Sequence, residues 1–207
     1  EKRNIGGIAR RATLVAKIRA DLALKKTTVW LIDAGDYSDG TPFSTEYHGD
    51  ADVAAMNAAG YNFATLGNHE FNNPMAQTKK LVGLAKYPIL LANAVDRTTR
   101  KPVGQPWRVE KAGAVRVGLF GMITPEAATY PAGKEGIDVL DVFSTAKDVV
   151  KALRSQADIV ILISHCGDEL DNRLAAEVPG IDVIVGGHSH SRLPVGEFVW
   201  RSDDLKV

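Results

Sequence analysis

The sequence predicts an α/β fold built on a mixed sheet. Short β-branched, apolar runs alternate with longer segments of helical periodicity along the whole chain. Several of those runs are apolar at nearly every position, the pattern of strands covered on both faces. The length of 207 residues allows one large domain or two small ones and is enough to bury a substantial core.

The elements follow in order. "GGIARRATLVAKIRADLALKK" carries Ile8, Val15, Ile18 and Leu22 at close to helical spacing. "TVWLID" (28–33) reads as a buried strand. "DADVAAMNAAG" is an Ala-rich helix stopped by Gly60. "YNFATL" is a short strand. "NPMAQTKKLVGLAK" opens on an Asn73 cap with Pro74 in the first turn. "PILLA" is a strand, and "WRVEKAGAVRVGLFGM" a hairpin turning near Gly113. "STAKDVVKALRSQ" is a helix capped by Ser144. "DIVILIS", a short "DELDNRLAAEV" helix and the strand "IDVIVGG" complete the pattern. No internal repeat or low-complexity tract interrupts it.

Composition excludes several classes. Lys+Arg and Asp+Glu are both 25, so the formal net charge is zero. No basic excess recruits nucleic acid or an acidic membrane surface. Cys166 is the single cysteine, which rules out an internal disulfide and a Cys-based zinc site. No apolar run is long enough to span a bilayer. The opening "EKRNIGG" has no signal-peptide pattern and reads as the interior of a longer sequence, so it says nothing about location.

The unusual polar residues fall at strand ends. "VWLID" runs into "AGD" at Asp36, and "FATL" into "GNHE" at Asn68, His69 and Glu70. "IVILI" runs into "SHCGDE" at His165, and "DVIV" into "GGHSH" at His188 and His190. Ligands in α/β folds gather outside the carboxyl ends of strands, and Gly35, Gly67, Gly186 and Gly187 allow sharp turns there. Of the five histidines, only His48, in "TEYHGD", lies outside these loops, where it reads as a plain loop residue. Imidazole, carboxylate and amide oxygen without thiolate suit Mn²⁺, Fe²⁺ or Zn²⁺. So many imidazoles disfavour an all-oxygen Ca²⁺ or Mg²⁺ cage. A carboxylate such as Asp36 is able to bridge two metals, the clamp used to hydrolyse phosphoesters.

The "GD", "GNHE", "SH" and "GGHSH" blocks, in this order, resemble the calcineurin-like metallophosphatases. The longer strings "GGIARRATLVAKIR", "DAGDYSDGTPFS", "VAAMNAAGYNFATLGNHEF", "LLANAV" and "GGHSHSRL" resemble the branch holding 5′-nucleotidases, UDP-sugar hydrolases and 2′,3′-cyclic nucleotide phosphodiesterases. The likeness runs almost to Leu193. It implies a four-layer α/β/β/α sandwich of two mixed sheets. It also implies two divalent metal ions, Mn or Zn, and a nucleotide or other small phosphoester as substrate. By resemblance, Asp36 bridges the metals, Asn68, His165 and His188 hold the second, and His190 holds the first. A metal-bound hydroxide attacks phosphorus while His69 stabilises charge and protonates the leaving oxygen. Glu70 supports the loop through backbone amides, and Asn93 is a weaker candidate for loop support. The family also implies a periplasmic or extracellular location.

The chain departs from that pattern in three places. The family's Asp-x-His block on a first strand is expected upstream of Glu1, which leaves Asp36 and His190 for the first metal. The family has "GNHEFD" where this chain has "GNHEFN", so Asn72 replaces the carboxylate that orients the catalytic histidine. The chain stops near Val207, where the family continues into a nucleoside-binding domain. Residues 1–207 therefore read as one partial catalytic domain, incomplete at both ends, with an exposed sheet edge where the first strand is missing. The expected activity is metal-dependent hydrolysis of nucleotide phosphoesters. The alternatives are a related phosphodiesterase or other ester hydrolase, or a degenerate, non-catalytic metal- or ligand-binding domain. Substrate contacts and oligomeric state are not indicated.

Overall fold

The computed structural model describes residues 6–193 and 195–199, so both extremes of the domain read as 1–207 lie outside the described residues. Helix α1 spans Ile8–Ala23, strand β1 Ile32–Asp33, α2 Pro42–Tyr47, α3 Asp50–Ala59, β2 Phe63–Ala64 and α4 Met75–Leu84. Then come β3 (Ala94–Asp96), β4 (Trp107–Ala112), β5 (Val115–Ile123), α5 (Pro131–Glu135) and β6 (Ile137–Val139). The order closes with α6 (Val142–Arg154), β7 (Ile159–His165), α7 (Asp168–Glu177) and β8 (Val183–Gly186).

Period-two alternation sorts the strand residues into layers. Val117 and Leu119 of β5 meet Phe63, Leu90 and Ile163 between two sheets. Phe120 and Met122 of the same strand face the other way, onto Val142, Ala146, Val149 and Leu153 of α6 and Leu174 of α7. Ala64 of β2 faces Met56 and Ala59 of α3, with Ile8 and Ala12 of α1 at the margin. The stack is thus helices, sheet, sheet, helices, as the family resemblance implies.

One sheet has the order β4-β5-β7-β8, antiparallel at the first pairing and parallel at the other two. β1 and β2 pair in parallel, and β3 and β6 antiparallel. The hairpin turns over Gly113 and Ala114, with Ala112 paired to Val115, as expected. Gly60 ends α3 in the left-handed region.

Several expectations need correction. "TVWLID" and "YNFATL" form only the two-residue ladders of β1 and β2. "PILLA" makes single parallel bridges, Ile89 to Ala64 and Leu90 to Gln105, because Ala92 N–H crosses to the Gly121 carbonyl at 2.8 Å. Helix α4 is entered by Pro74, not by an Asn73 cap: Pro74 is extended and its carbonyl accepts from Gln77 at 2.8 Å. Asp141, not Ser144, caps α6, its carboxylate accepting the Ser144 N–H at 2.8 Å. The strand "IDVIVGG" is half-exposed, because among the described residues β8 lies at a sheet edge with a neighbour on one side only. β1 is likewise an edge strand among the described residues. Short elements that periodicity did not reveal are α2, α5, β3, β6 and the 3₁₀ turns Asn68–Phe71 and Pro125–Thr129.

Close approach of the sheets is specified at Gly121. A methyl group there would sit 1.8 Å from the Leu90 carbonyl oxygen, and backbone does not yield as a side chain does. Gly83, inside α4, is open: a methyl group there would meet nothing within 4 Å. Gly121→Ala is expected to unfold the protein or cost ~3 kcal/mol or more by overpacking, whereas Gly83→Ala stabilises by ~0.5–1 kcal/mol. Chemical denaturation of both variants measures the contrast.

Candidate metal centre

Four strand ends converge on one edge of the sandwich. Asp36 lies just past β1, the Asn68–Phe71 turn just past β2, His165 ends β7, and His188 lies just past β8. The Asp36 and Asn68 loops touch so closely that only glycine fits at position 67. A methyl there would lie 2.2 Å from Asp36 Oδ1 and 2.7 Å from His165 Cε1.

Glu70 locks these loops together. One carboxylate oxygen accepts from Asp36 N–H at 2.9 Å and Gly67 N–H at 2.6 Å; the other accepts from the Ser38 N–H and hydroxyl, both at 2.8 Å. The residue is 1 % exposed. Burial pushes its carboxyl up to about 7, with the Ser38 and Gly67 donors pulling the other way. This is the loop support through backbone amides that the sequence suggested. Asn93 is also a support residue: its amide donates to the Ile123 carbonyl and accepts the Ile123 N–H, both at 2.9 Å, which fixes the chain as it leaves β5.

The donor atoms suit a divalent metal. Ligand atoms of Asp36, His165 and His188 all lie within 4.8 Å of one another. His165 Nε2 is 3.1 Å from Asp36 Oδ2 and 3.2 Å from Asn68 Oδ1. His165 Nδ1 is 2.6 Å from the Ala34 carbonyl, an acceptor, so Nδ1 carries the proton and Nε2 turns toward the carboxylate. Asn68 donates its NH₂ to the Tyr130 hydroxyl at 2.9 Å, which presents Oδ1 to the site. Without metal, burial alone would lower His165, but the Asp36 carboxylate outweighs it and raises the imidazole. For Asp36 burial works upward, and the facing His165 carries it below its usual range.

The remaining expected residues lie around this cluster. His190 is exposed and lines the same cavity as Asp36, His165 and His188 without joining the triple. His69 is half-buried, its N–H donating to Asp36 Oδ1 at 2.9 Å. Asn72 lies 2.9 Å from His69 Nδ1 through its amide nitrogen. His48 is the left-handed C-cap of α2, its carbonyl accepting from Gln77 at 2.8 Å.

Three neighbours escaped the sequence reading. Tyr130 orients Asn68 and donates to Glu126 Oε1 at 3.1 Å, and Glu126 Oε2 lies 3.6 Å from His188 Nε2. Asp39 hydrogen-bonds Asn72 and sits 3.5 Å from His69 Nδ1. "DYSDG" has the composition of an ordinary turn, and "PEAATYP" has no periodicity to mark it. Of the three, only Asp39 carries a mark of backbone strain. Asp36, Asp39, His188 and His190 are among the seven non-glycine residues at positive φ in the described chain.

Ligand removal has unequal costs. His165 is 1 % exposed at the side chain and bonded to Ala34, whereas His188 is 28 % exposed. Both His165→Ala and His188→Ala are expected to weaken metal binding. Only His165→Ala should also destabilise the metal-free protein, by ~1–3 kcal/mol, for its orphaned carbonyl partner. Melting curves with and without chelator separate the two effects.

Asp171 lines the cavity and hydrogen-bonds the Ser164 hydroxyl behind His165. Burial raises it to about 6, with the Ser164 bond opposing. The folded state therefore holds this proton more tightly than the unfolded chain. Its contribution to stability is complete below the unfolded value of 3.8 and is lost as pH rises through about 6. Asp171→Asn is expected to raise the unfolding free energy above pH ~7, by no more than ~2–3 kcal/mol, and to leave it unchanged below pH ~4, which denaturation at the two pH values checks.

Comparison with known proteins places the chain. Residues 4–192 match the family model described as calcineurin-like phosphoesterase. A 5′-nucleotidase of Vibrio cholerae is 31 % identical over 199 residues, covering 88 % of this chain and 36 % of that protein. A snake venom 5′-nucleotidase of Gloydius brevicauda is 33 % identical over 203 residues, covering 92 % of this chain and 33 % of that one. Among solved structures, the Thermus thermophilus sulfate thiohydrolase SoxB superposes with a TM-score of 0.85 at 25 % identity, covering 92 % of this chain and 35 % of that one. The chain spans about a third of the length of the curated relatives it matches. The chain belongs to the calcineurin-like phosphoesterase family.

Proposed function

We propose that the protein is a metal-dependent phosphohydrolase acting on nucleotides, in the manner of the 5′-nucleotidases it is similar to. The observation that carries this reading is the Asp36, His165 and His188 triple with Asn68 Oδ1 beside it and His69 on the adjoining turn. Asn68, His165 and His188 would hold one divalent ion, Mn²⁺ or Zn²⁺, and Asp36 would bridge it to a second ion reached by His190. Bound metal supplies Lewis-acid stabilisation of phosphoryl charge and activation of water. The chain's own residues do the positioning. Glu70 holds the Asp36 and Gly67 amides in register. The Ala34 carbonyl sets the His165 tautomer. His69 is tied to Asp36 through its backbone, which leaves its ring as the group to stabilise charge and protonate a leaving oxygen. A location outside the cytoplasm belongs to this reading, a venom enzyme being among the relatives. The SoxB likeness supports an ester of sulfur as the substrate to test in parallel.

The test is phosphate release from nucleoside monophosphates by the full chain with Mn²⁺ or Zn²⁺. Activity is expected to vanish on chelation, return with metal, and fall ~10²–10⁴-fold in His69→Ala. Hydrolysis of a sulfur ester and of no nucleotide would replace the substrate; no hydrolysis with either metal would end the reading.

A further inference from the structure

The family resemblance puts a carboxylate where Asn72 stands. The structure has a carboxylate nearby, from a different loop. Asn72 Nδ2 donates to Asp39 Oδ2 and lies 2.9 Å from His69 Nδ1, and Asp39 Oδ2 is itself 3.5 Å from that nitrogen. We propose that Asp39 is a positioning residue: through the Asn72 amide it holds the His69 ring in the tautomer that carries its proton on Nε2.

The hydrogen-bond inventory leads there step by step. An ionised carboxylate only accepts, so Asp39 selects the NH₂ side of the Asn72 amide. The flipped amide would set its oxygen against a carboxylate oxygen. The remaining Asn72 N–H then meets His69 Nδ1, which must accept. A neutral imidazole has one donor and one acceptor, so the proton resides on Nε2. A direct Asp-His pair would instead draw the N–H to Nδ1. Substituting Asn for the family's Asp therefore keeps a fixed ring while reversing which nitrogen donates.

Asp39 is built into place. It is a non-glycine residue at φ 78°. Its N–H donates to Ser44 Oγ at 2.5 Å, and Ser44 is held in turn by Asp52 at 2.8 Å and Thr41 at 3.1 Å. Strain that the surroundings over-determine marks functional positions. Asp39 also shares the loop of Asp36, so one segment carries a metal ligand and the group that orients His69.

The kinetic consequence rests on the phosphohydrolase reading; the tautomer does not. Glycine adopts φ 78° without strain, so Asp39→Gly removes the carboxylate and spares the fold, which a melting curve checks. In the full chain it is expected to lower kcat ~10–100-fold, part of a general acid–base contribution, with KM and metal affinity unchanged. Asn72→Asp alone sets two carboxylates together and should also lower kcat. The exchange Asp39→Asn with Asn72→Asp keeps one carboxylate and one amide but sets the carboxylate directly on Nδ1, which draws the His69 proton there, and should leave kcat low. Proton–nitrogen NMR of the Zn²⁺-loaded protein with its imidazoles neutral should find the His69 proton on Nε2, with both tautomers populated in Asp39→Gly. A wild-type proton on Nδ1, an unchanged kcat in Asp39→Gly, or a double variant whose His69 proton stays on Nε2 would each overturn the proposal. A chain that hydrolyses nothing while its His69 proton sits on Nε2 would sink the phosphohydrolase reading and leave the relay standing.

Discussion

Four donors converge on the carboxylate of Glu70, and the geometry of the centre depends on them. Asp36 and Gly67 belong to loops from different strands, and Ser38 lies beyond Asp36 in the first of these. The Asp36 carboxylate reaches across in the other direction, accepting the His69 N–H at 2.9 Å. Removing a carboxylate from water is costly unless its oxygens are satisfied, and at Glu70 each oxygen accepts two hydrogen bonds. The cost is visible in the upward displacement of its carboxyl to about 7. The return is that the Asp36 loop and the "GNHE" turn are held as one body.

The layers outside the site make that body rigid. β5 is covered on one face by α6 and on the other by the neighbouring sheet, so its residues from Val117 onward are buried. β7 runs parallel beside it and ends in His165, whose position is thereby set by the core and not by a loop. β8 is different. It is a half-exposed edge, and the "GGHSHS" loop after it is tied down by side chains instead: Asp168 N–H donates to Ser189 Oγ at 2.9 Å, and Ser191 bonds the Asp168 carboxylate. Buried His165 and accessible His188 thus approach one cluster with unequal rigidity.

Charge is distributed against the neutral total. Around the histidines stand Asp36, Asp39, Glu126, Asp168 and Asp171. The lone thiol plays no part in this chemistry, since burial pushes Cys166 up to about 12 and keeps it protonated. The acidic surroundings favour cations, and the imidazoles favour transition metals over hard ions.

Much of this is legible in the residues alone. Strand runs ending in Asp36, Asn68, His165 and His188 reveal the edge where the chemistry gathers, because apolar runs and terminal polar residues are local features of the chain. Periodicity also marks α1, α3 and the hairpin around Gly113. The caps expected at Asn73 and Ser144 fail, because backbone geometry places the helix starts one and three residues away, at Pro74 and Asp141. "PILLA" fails as a regular strand because its hydrogen bonds are divided between partners far apart in sequence. Asp39 and Tyr130 stay hidden for the same reason: each acts on a residue brought near only by folding, Asp39 on Asn72 and Tyr130 on Asn68. The sequence determined which donor types exist and on which strand ends they sit. The tertiary structure alone decided which nitrogen of a histidine faces which oxygen, because that choice is made by contacts across loops and not along the chain.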